Sequence, residues 1–224
     1  MAGITIERSG QFGAMGFENL PETKFHKEME PMADQLYHDI WGPLQKLERL
    51  SHSRVGPPHP LDKDWAIDVI LQTTGGLAIT IQDKFRQYKY YKKYNQFTLE
   101  YENNPATHEP GEFFHLVANY YFYGFATIDK QSFISWKVID LNAFKECLRV
   151  KSIVEDGIAL NITKSRASFI FFNWDKLRDK GLLFRQSKPP ESSKEAKQAE
   201  LPRRGQRVGS RRRQKIDSRQ MSMF

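Results

Sequence analysis

Residues 64–94 read DWAIDVILQTTGGLAITIQDKFRQYKYYKKY, and the rest of the chain is best interpreted outward from them. Two runs rich in apolar and β-branched residues flank a Thr-Thr-Gly-Gly turn at 73–76. Glycine supplies the positive φ that a tight turn needs, so the stretch predicts a β-hairpin. Side chains alternate along a strand, so Asp68 lies on one face of the first strand, and Gln82 and Lys84 share one face of the second. Pairing of the two strands would bring these three side chains close together.

Polar side chains inside apolar strands need a partner, because burying them unpaired costs free energy. A metal ion with a bound phosphate would supply one for Asp68, Gln82 and Lys84. An ordinary ion pair between Asp68 and Lys84 is the alternative interpretation, and the residues alone leave both open.

The order of Asp68, a hairpin and then Gln82-Asp83-Lys84 resembles the PD-(D/E)xK nuclease superfamily, whose fold is called restriction-endonuclease-like. That superfamily carries an Asp on one strand and an (E/D/Q)-x-K tripeptide on the next, usually after an acidic helix. The resemblance covers residues 28–94. It implies hydrolysis of phosphodiester bonds with Mg²⁺ or Mn²⁺, with Asp68 and Gln82 as metal ligands and Lys84 stabilising developing charge or positioning the water.

A third acid is expected from the helix that precedes the hairpin, and the candidates are Glu28, Glu30 and Asp34. Helical spacing places Glu30 and Asp34 on one face, and Glu30 is our first choice as a metal ligand. Asp64 is predicted to share the strand face of Asp68 and is a further candidate ligand. Asp83 has the opposite parity, on the side of Ile79 and Ile81, so we do not expect it to bind metal.

Apolar periodicity predicts the remaining elements. Helices are expected at about 31–41, 43–51, 112–123 and 142–149, and from Asn173 or Asp175 to about Lys180. Strands are expected at 97–101, 133–141 and 168–172. The aromatic helix at 112–123 is interpreted as a buried core helix, with a stacking platform as the alternative. Together these elements predict an α/β (or α+β) domain at 23–185, with a mixed central sheet flanked by helices. Residues 1–22 are expected to form an irregular N-terminal arm with one strand near 3–8.

Basic charge is concentrated at the C-terminus of the chain. Residues 186–224 hold 11 Lys/Arg and 4 Asp/Glu, which accounts for the whole net charge of +7 and leaves residues 1–185 neutral. The segment has few apolar residues, so we expect a disordered basic tail. Its arginines, among them Arg211, Arg212 and Arg213, are predicted to contact nucleic-acid phosphates. A nuclear-localisation signal and a solubilising tail are the alternatives.

A second basic segment directly follows the hairpin. Tyr and Lys alternate there, which suits stacking on bases and contact with phosphates. Its predicted nucleic-acid contacts are Arg86, Lys89, Lys92 and Lys93. Solvated side chains at the end of a strand are the alternative interpretation.

Composition excludes several classes of protein. The single Cys147 rules out a disulfide framework and a cysteine-based zinc site. The sequence lacks a P-loop, a Gly-x-Gly-x-x-Gly after a strand, and a His-x-x-x-His pair. The N-terminus lacks the layout of a signal peptide, and no apolar run is long enough to cross a bilayer. We therefore expect a soluble intracellular protein without a membrane partner, in a prokaryotic or virus-infected cytoplasm or in a eukaryotic nucleus.

The function predicted from these residues is a metal-dependent nuclease with Mg²⁺ or Mn²⁺ as cofactor and nucleic acid as partner, DNA rather than RNA. Two rivals stay open. Gln82 stands where a carboxylate is commoner, which suggests a binding module of the same fold without catalysis. The other rival is an interaction protein that uses its basic tail. The sequence also leaves open whether the protein forms a homodimer.

Overall fold

A computed structural model describes residues 21–50, 59–160 and 167–188. The helices in these ranges are α1 Pro21–Trp41, α2 Pro60–Trp65, α3 Glu112–His115, α4 Leu141–Arg149 and α5 Trp174–Asp179. The strands are β1 Leu44–Arg49, β2 Val69–Thr73, β3 Ala78–Arg86, β4 Gln96–Asn104, β5 Glu109–Pro110, β6 Tyr120–Ala126, β7 Phe133–Asp140, β8 Gly157–Leu160, β9 Ser168–Asn173 and β10 Leu183–Gln186. A short 3-10 helix, Tyr88–Tyr90, follows β3. None of the described helices combines the length and apolar composition of a membrane span.

The strands form two sheets. The larger has the order β1-β2-β3-β6-β7-β10, with β3 and β6 parallel and its other neighbours antiparallel. The smaller has the order β5-β4-β9-β8 and is antiparallel throughout. A mixed sheet combined with helices confirms the predicted α/β (or α+β) class.

The larger sheet is covered on both faces. One face packs against α1, where Phe25, Met29 and Tyr37 meet β2, β3 and β6. The other face packs against the smaller sheet and α4, around Phe97 and Phe144. The sequence predicted helices on the flanks, whereas the structure places a second sheet on one of them. Side chains of β3 that point to this second face are therefore enclosed between two sheets.

The β2–β3 hairpin forms where the sequence predicts it. Val69 pairs with Ile81 and Leu71 with Ile79, and the turn is closed by a 3.0 Å hydrogen bond from the Thr73 amide to the Leu77 carbonyl. Gly76 has φ of +83°, the positive value that the predicted turn requires. The predicted strands at 97–101, 133–141 and 168–172 are also confirmed, as β4, β7 and β9.

Two predicted helices at the C-terminal end are confirmed, with changes at their caps. Helix α4 is capped by the Asp140 carboxylate, which accepts from the Ala143 amide, rather than by Asn142. Asn173 caps α5, and Gly181 follows it with φ of +68°. Strand β10 then continues to Gln186, so the folded part extends slightly beyond the predicted boundary at 185.

The predictions for the N-terminal helices are partly wrong. One helix runs from Pro21 to Trp41, with Pro31 in its interior, and ends at Gly42, whose φ is +81°. The predicted helix at 43–51 is instead strand β1, because this short segment pairs along the edge of the sheet with β2. Tertiary pairing outweighs local periodicity in so short a segment.

The predicted helix at 112–123 is also wrong. Only α3, four residues long, is helical there, and β6 begins at Tyr120. Strand β6 lies between β3 and β7, and both of its faces are buried. Such a strand is apolar throughout and lacks the alternation that distinguishes a half-exposed strand from a buried helix. The predicted strand near 3–8 and most of the predicted tail lie outside the described residues.

Candidate active site

The hairpin brings Asp68 next to the Gln82-Asp83-Lys84 tripeptide. Asp68 precedes β2, and its amide donates to the Ile81 carbonyl at 2.9 Å. Its carboxylate Oδ2 accepts a 2.8 Å hydrogen bond from the Asp83 amide, and the residue is buried. The register that pairs Val69 with Ile81 places Asp68 opposite Gln82.

Strand β3 distributes the tripeptide between the two faces of the larger sheet. Asp83 is buried on the side of Ile81 and Phe85, which face α1. Gln82 and Lys84 point to the other side, towards the smaller sheet. The opposite parity of Asp83 agrees with the sequence analysis, but its environment shows a role that the sequence did not suggest.

Asp83 is the centre of a buried charge network beneath α1. Its carboxylate accepts hydrogen bonds from the Tyr37 hydroxyl at 3.0 Å and from Arg49 Nη1 at 2.9 Å. The His26 ring nitrogen Nε2 lies 3.1 Å from the other oxygen of Asp83. The network extends to Asp34, which accepts from Arg49, and to Glu30, whose Oε1 lies 3.4 Å from His26 Nδ1. Two cations thus compensate a carboxylate that would otherwise be costly to bury.

The network shifts the pKa values of the two buried aspartates, Asp83 and Asp68, in opposite directions. Burial raises the pKa of the Asp83 carboxyl, but Arg49 and His26 outweigh it and hold the pKa below its usual range. Burial and the neighbouring charge of Asp83 raise the pKa of Asp68 well above its usual range, because two carboxylates so close resist being ionised together. Burial lowers the pKa of His26, but its hydrogen bonds to Asp83 and Glu30 outweigh this and raise the pKa to about 10.

Lys84 is held by a residue that the sequence analysis missed. Its ammonium lies 3.1 Å from Glu112 Oε2 and donates to the Thr98 carbonyl at 3.3 Å. The same Glu112 accepts a 2.5 Å hydrogen bond from the Tyr121 hydroxyl. Glu112 heads the aromatic run that was predicted to be helical, but no sequence signal linked it to Lys84, 28 positions away. The ion pair between Lys84 and Asp68, which was the alternative interpretation of the hairpin, is not among the ion pairs of the described residues.

Gln82 is one of several described residues with a buried polar side-chain atom that lacks a hydrogen-bond partner, among them Trp41, Glu155 and Trp174. Its side-chain oxygen Oε1 is buried and has no hydrogen-bond partner among the described residues. Buried acceptors are nearly always paired in native proteins, so an unpaired oxygen in a proposed site marks a position for a missing partner. Mg²⁺ binds oxygen ligands, commonly one or two protein carboxylates together with water and phosphate oxygens. The amide oxygen of Gln82 could therefore be a ligand beside the carboxylate of Asp68.

The three helix acids that were predicted as candidates to complete the metal site do not lie at one place in the structure. Glu30 is buried beside His26, within the charge network. Glu28 is at the surface and pairs with Lys130 at 2.6 Å, and Asp34 is engaged by Arg49. In residues 21–50, 59–160 and 167–188, no three His, Cys, Asp or Glu side chains are arranged to hold a metal. The protein groups that fit a divalent cation at the hairpin are therefore the carboxylate of Asp68 and the free oxygen of Gln82.

The placement predicted for Asp64 is wrong. Asp64 lies exposed on helix α2 and does not share a strand with Asp68. Ala66 follows the helix in the left-handed conformation, with φ of +48°, and this reverses the chain before β2 begins at Val69. The alternation of side chains that linked Asp64 to Asp68 applies only within a strand, so it fails across this turn.

The residues predicted to contact nucleic acid also have different environments. Arg86 lies between the two sheets and donates to the Tyr123 hydroxyl at 2.9 Å and to Thr98 Oγ1 at 2.7 Å, which argues against the predicted contact with nucleic acid. Lys89, Lys92 and Lys93 are exposed, and the ammonium groups of Lys89 and Lys93 lie over neighbouring tyrosine rings at 5.0 and 5.1 Å. The tail arginines named as predicted contacts, Arg211, Arg212 and Arg213, lie outside the described residues.

Comparisons with known proteins give no family for this chain. No family model matches it, and neither the search of curated proteins nor that of solved structures finds a match. The resemblance to PD-(D/E)xK nucleases therefore stays a prediction carried by Asp68, Gln82 and Lys84.

Proposed function

We propose that this protein is a metal-dependent nuclease of the PD-(D/E)xK type that hydrolyses phosphodiester bonds, in DNA rather than RNA. The observation that carries the proposal is the unpaired, buried oxygen of Gln82 on the strand next to the buried carboxylate of Asp68. The resembling family holds its metal at these positions. The preference for DNA rests on that resemblance alone.

Asp68 and Gln82 would hold the Mg²⁺ or Mn²⁺ ion, whereas the predicted ligand Glu30 lies beside His26 and Asp83 on the α1 side of the sheet, away from Gln82. The chemistry that a bound divalent cation supplies is charge neutralisation on the phosphate and activation of a water molecule. The raised pKa of Asp68 fits this role, because a carboxylate crowded by Asp83 is most stabilised by a nearby positive charge.

Lys84 would stabilise the negative charge that develops on the phosphate. Glu112 acts as its positioning residue, since its carboxylate fixes the ammonium at 3.1 Å. The side chains of Lys84 and Glu112 are only 19% and 16% exposed, which excludes most water and strengthens their electrostatic effect.

A binding module of the same fold without catalysis is the second candidate. The observation that favours it is the pairing of Lys84 with Glu112, because an ammonium that already has a carboxylate partner is less available to a phosphate. Gln82 is also uncharged, and a neutral oxygen binds Mg²⁺ more weakly than a carboxylate does.

A cleavage assay separates the two candidates. Wild-type protein is incubated with single- and double-stranded DNA and RNA in Mg²⁺, Mn²⁺ or EDTA. Asp68→Asn and Lys84→Met are each expected to reduce metal-dependent cleavage by roughly a hundredfold or more. The matched controls Asp129→Asn and Lys151→Met change exposed residues in the same way and should cleave like wild type. Binding without cleavage in every metal would favour the inactive module, and full activity of both site variants would refute the site.

A further inference from the structure

A groove lined by cations and aromatic rings opens between the Tyr/Lys segment after β3, strand β7 and helix α5. Its volume is about 530 Å³. Among the described residues, its lining includes three basic and five aromatic residues and no Asp or Glu. The basic residues are Lys92, Lys137 and Arg178, and the aromatic residues are Tyr91, Tyr94, Phe125, Trp136 and Trp174. We refer to it as the aromatic–basic groove.

The cations of the groove come from separate parts of the chain. Lys92 follows the 3-10 helix, Lys137 is on β7 and Arg178 is on α5. Sequence analysis found only the first of them, because folding alone brings the other two to the same surface. Because the three basic residues belong to different elements, a single basic run in the sequence does not explain why they line one groove.

Lys137 differs from Arg178 in having no carboxylate paired with it among the described residues. Its ammonium lies 4.7 Å from the centre of the Trp174 ring. Burial and the nearby charge of Arg178 lower the pKa of Lys137 to about 8. Among the described residues, the acid that acts on it is Asp175, which is bound to Arg178 at 2.7 Å and to Asn95 at 3.1 Å. A half-buried ammonium next to a second cation is stabilised when an anion enters the groove.

The aromatic residues indicate which kind of anion fits. Tyr94 is 43% exposed at the groove, and Tyr91 is half-buried against Phe125. Exposed rings beside cations are typical of surfaces that stack bases while contacting the phosphate backbone. The exposed Lys89 and Lys93 extend the positive surface on the same segment. A groove of this size also exceeds what a single phosphate needs.

The groove lies two strands away from Lys84 in the larger sheet and next to the start of the tail. Register places Lys84, Tyr123, Lys137 and Gln186 in one row across four neighbouring strands, on the same face. Adjacent strands are about 4.8 Å apart, so the backbones of Lys84 and Lys137 lie about 10 Å from one another. Gln186 and Ser187 line the groove, so the basic tail is attached at its edge. A tail with 11 basic and 4 acidic residues is a poor occupant for a basic groove, which favours an external polyanion.

We propose that the aromatic–basic groove binds a strand of nucleic acid, with Lys92, Lys137 and Arg178 contacting phosphates and Tyr94 stacking on a base. The inference rests on the proposed nucleic-acid partner but not on cleavage. It adds a binding surface beside the candidate active site, formed by residues of β7 and α5.

Fluorescence anisotropy in EDTA tests binding separately from cleavage. The probe is a labelled oligothymidylate of more than about 16 nucleotides. This length exceeds the site size of about 4–16 nucleotides that is typical of a single-strand-binding domain. The test variant of the full chain is Lys92→Gln/Lys137→Gln/Arg178→Gln. The control is Lys46→Gln/Lys130→Gln/Lys151→Gln, which removes the same charge from exposed lysines outside the groove. Thermal unfolding followed by circular dichroism checks that both are folded.

The groove variant is expected to bind at least about tenfold more weakly than the control, and to reduce the dependence of log affinity on log salt by about 2. Tyr94→Leu should weaken binding of the oligonucleotide several-fold but leave inorganic polyphosphate binding unchanged. Equal affinity of groove and control variants would refute the proposal, as would failure of the wild type to bind. Equal loss of polyphosphate binding in Tyr94→Leu would refute the stacking role. Loss of binding in the groove variant, together with a wild type that binds but never cleaves, would support the groove and refute the nuclease.

A conservative variant tests Lys137 itself. Its lowered pKa predicts that wild-type affinity falls as pH rises from 7 to 9, whereas Lys137→Arg stays charged and should depend less on pH. The other ionisable groups at the groove, Tyr91, Lys92, Tyr94, Asp175 and Arg178, are common to both proteins. Parallel pH profiles would contradict a loss of charge at Lys137 between pH 7 and 9.

Discussion

Replacing Asp83 by Asn is expected to destabilise the protein much more than replacing Asp68 by Asn. Asp83 accepts hydrogen bonds from Arg49 at 2.9 Å and Tyr37 at 3.0 Å and lies 3.1 Å from His26, and its side chain is fully buried. Asparagine keeps the shape but removes the charge, so Arg49 and His26 lose the carboxylate that compensates them. Removing one partner of a buried ion pair costs about 3–5 kcal/mol.

That loss is large compared with the total stability of an ordinary domain, which is about 5–15 kcal/mol. Asp68 differs because its raised pKa shows that the folded protein disfavours its charged form. Asp68→Asn removes that charge and keeps an acceptor for the Asp83 amide. Its free energy of unfolding at pH 7 should therefore equal or exceed that of wild type, while metal-dependent cleavage is lost.

Urea denaturation followed by far-ultraviolet circular dichroism measures both changes. With a slope of about 2 kcal/mol per molar urea, Asp83→Asn should lower the midpoint by about 1.5–2.5 M. Asp34→Asn is a useful comparison, because its side chain is 32% exposed and its loss should cost less. An unchanged midpoint for Asp83→Asn would refute the conclusion that the charge network fixes α1 on the sheet. Strong destabilisation by Asp68→Asn would show that Asp68 is structural.

Three further predictions concern the metal, the charge network and the tail. Gln82→Glu adds a negative ligand beside Asp68, so half-saturation of cleavage should need less Mg²⁺, and an unchanged titration would place Gln82 away from the metal. The pKa of His26 is raised to about 10, so its contribution to stability is complete below about pH 6.5 and is lost as pH rises towards 10. The difference in free energy of unfolding between wild type and His26→Gln should therefore shrink from pH 6 to pH 9, and a constant difference would contradict the ion pair with Asp83. Deleting residues 189–224 should weaken nucleic-acid binding and flatten its salt dependence while cleavage at saturating substrate persists, and an unchanged salt slope would exclude the tail as a contact.

Local signals in the sequence determined a substantial part of this protein. The Thr-Thr-Gly-Gly turn and its apolar flanks predicted the β2–β3 hairpin. Asn173 and Gly181 marked the two ends of α5. Strict alternation along β3 predicted that Asp83 would lie on the opposite face from Gln82 and Lys84. These features depend on residues close together in the chain, where backbone conformation and side-chain period are enough to specify the structure.

Only the tertiary structure decided the assignments that depend on distant partners. The segments at 44–49 and 120–126 are strands because β2, β3 and β7 pair with them, and this pairing cannot be read from their own composition. Glu112 meets Lys84 across 28 positions, and Asp83 meets Tyr37 across 46. Lys137 and Arg178 reach one groove because Lys137 on β7 lies over the ring of Trp174, the first residue of α5. Side-chain alternation specifies the face on which a residue lies, but the residue it meets there is set by the packing of the two sheets and α1.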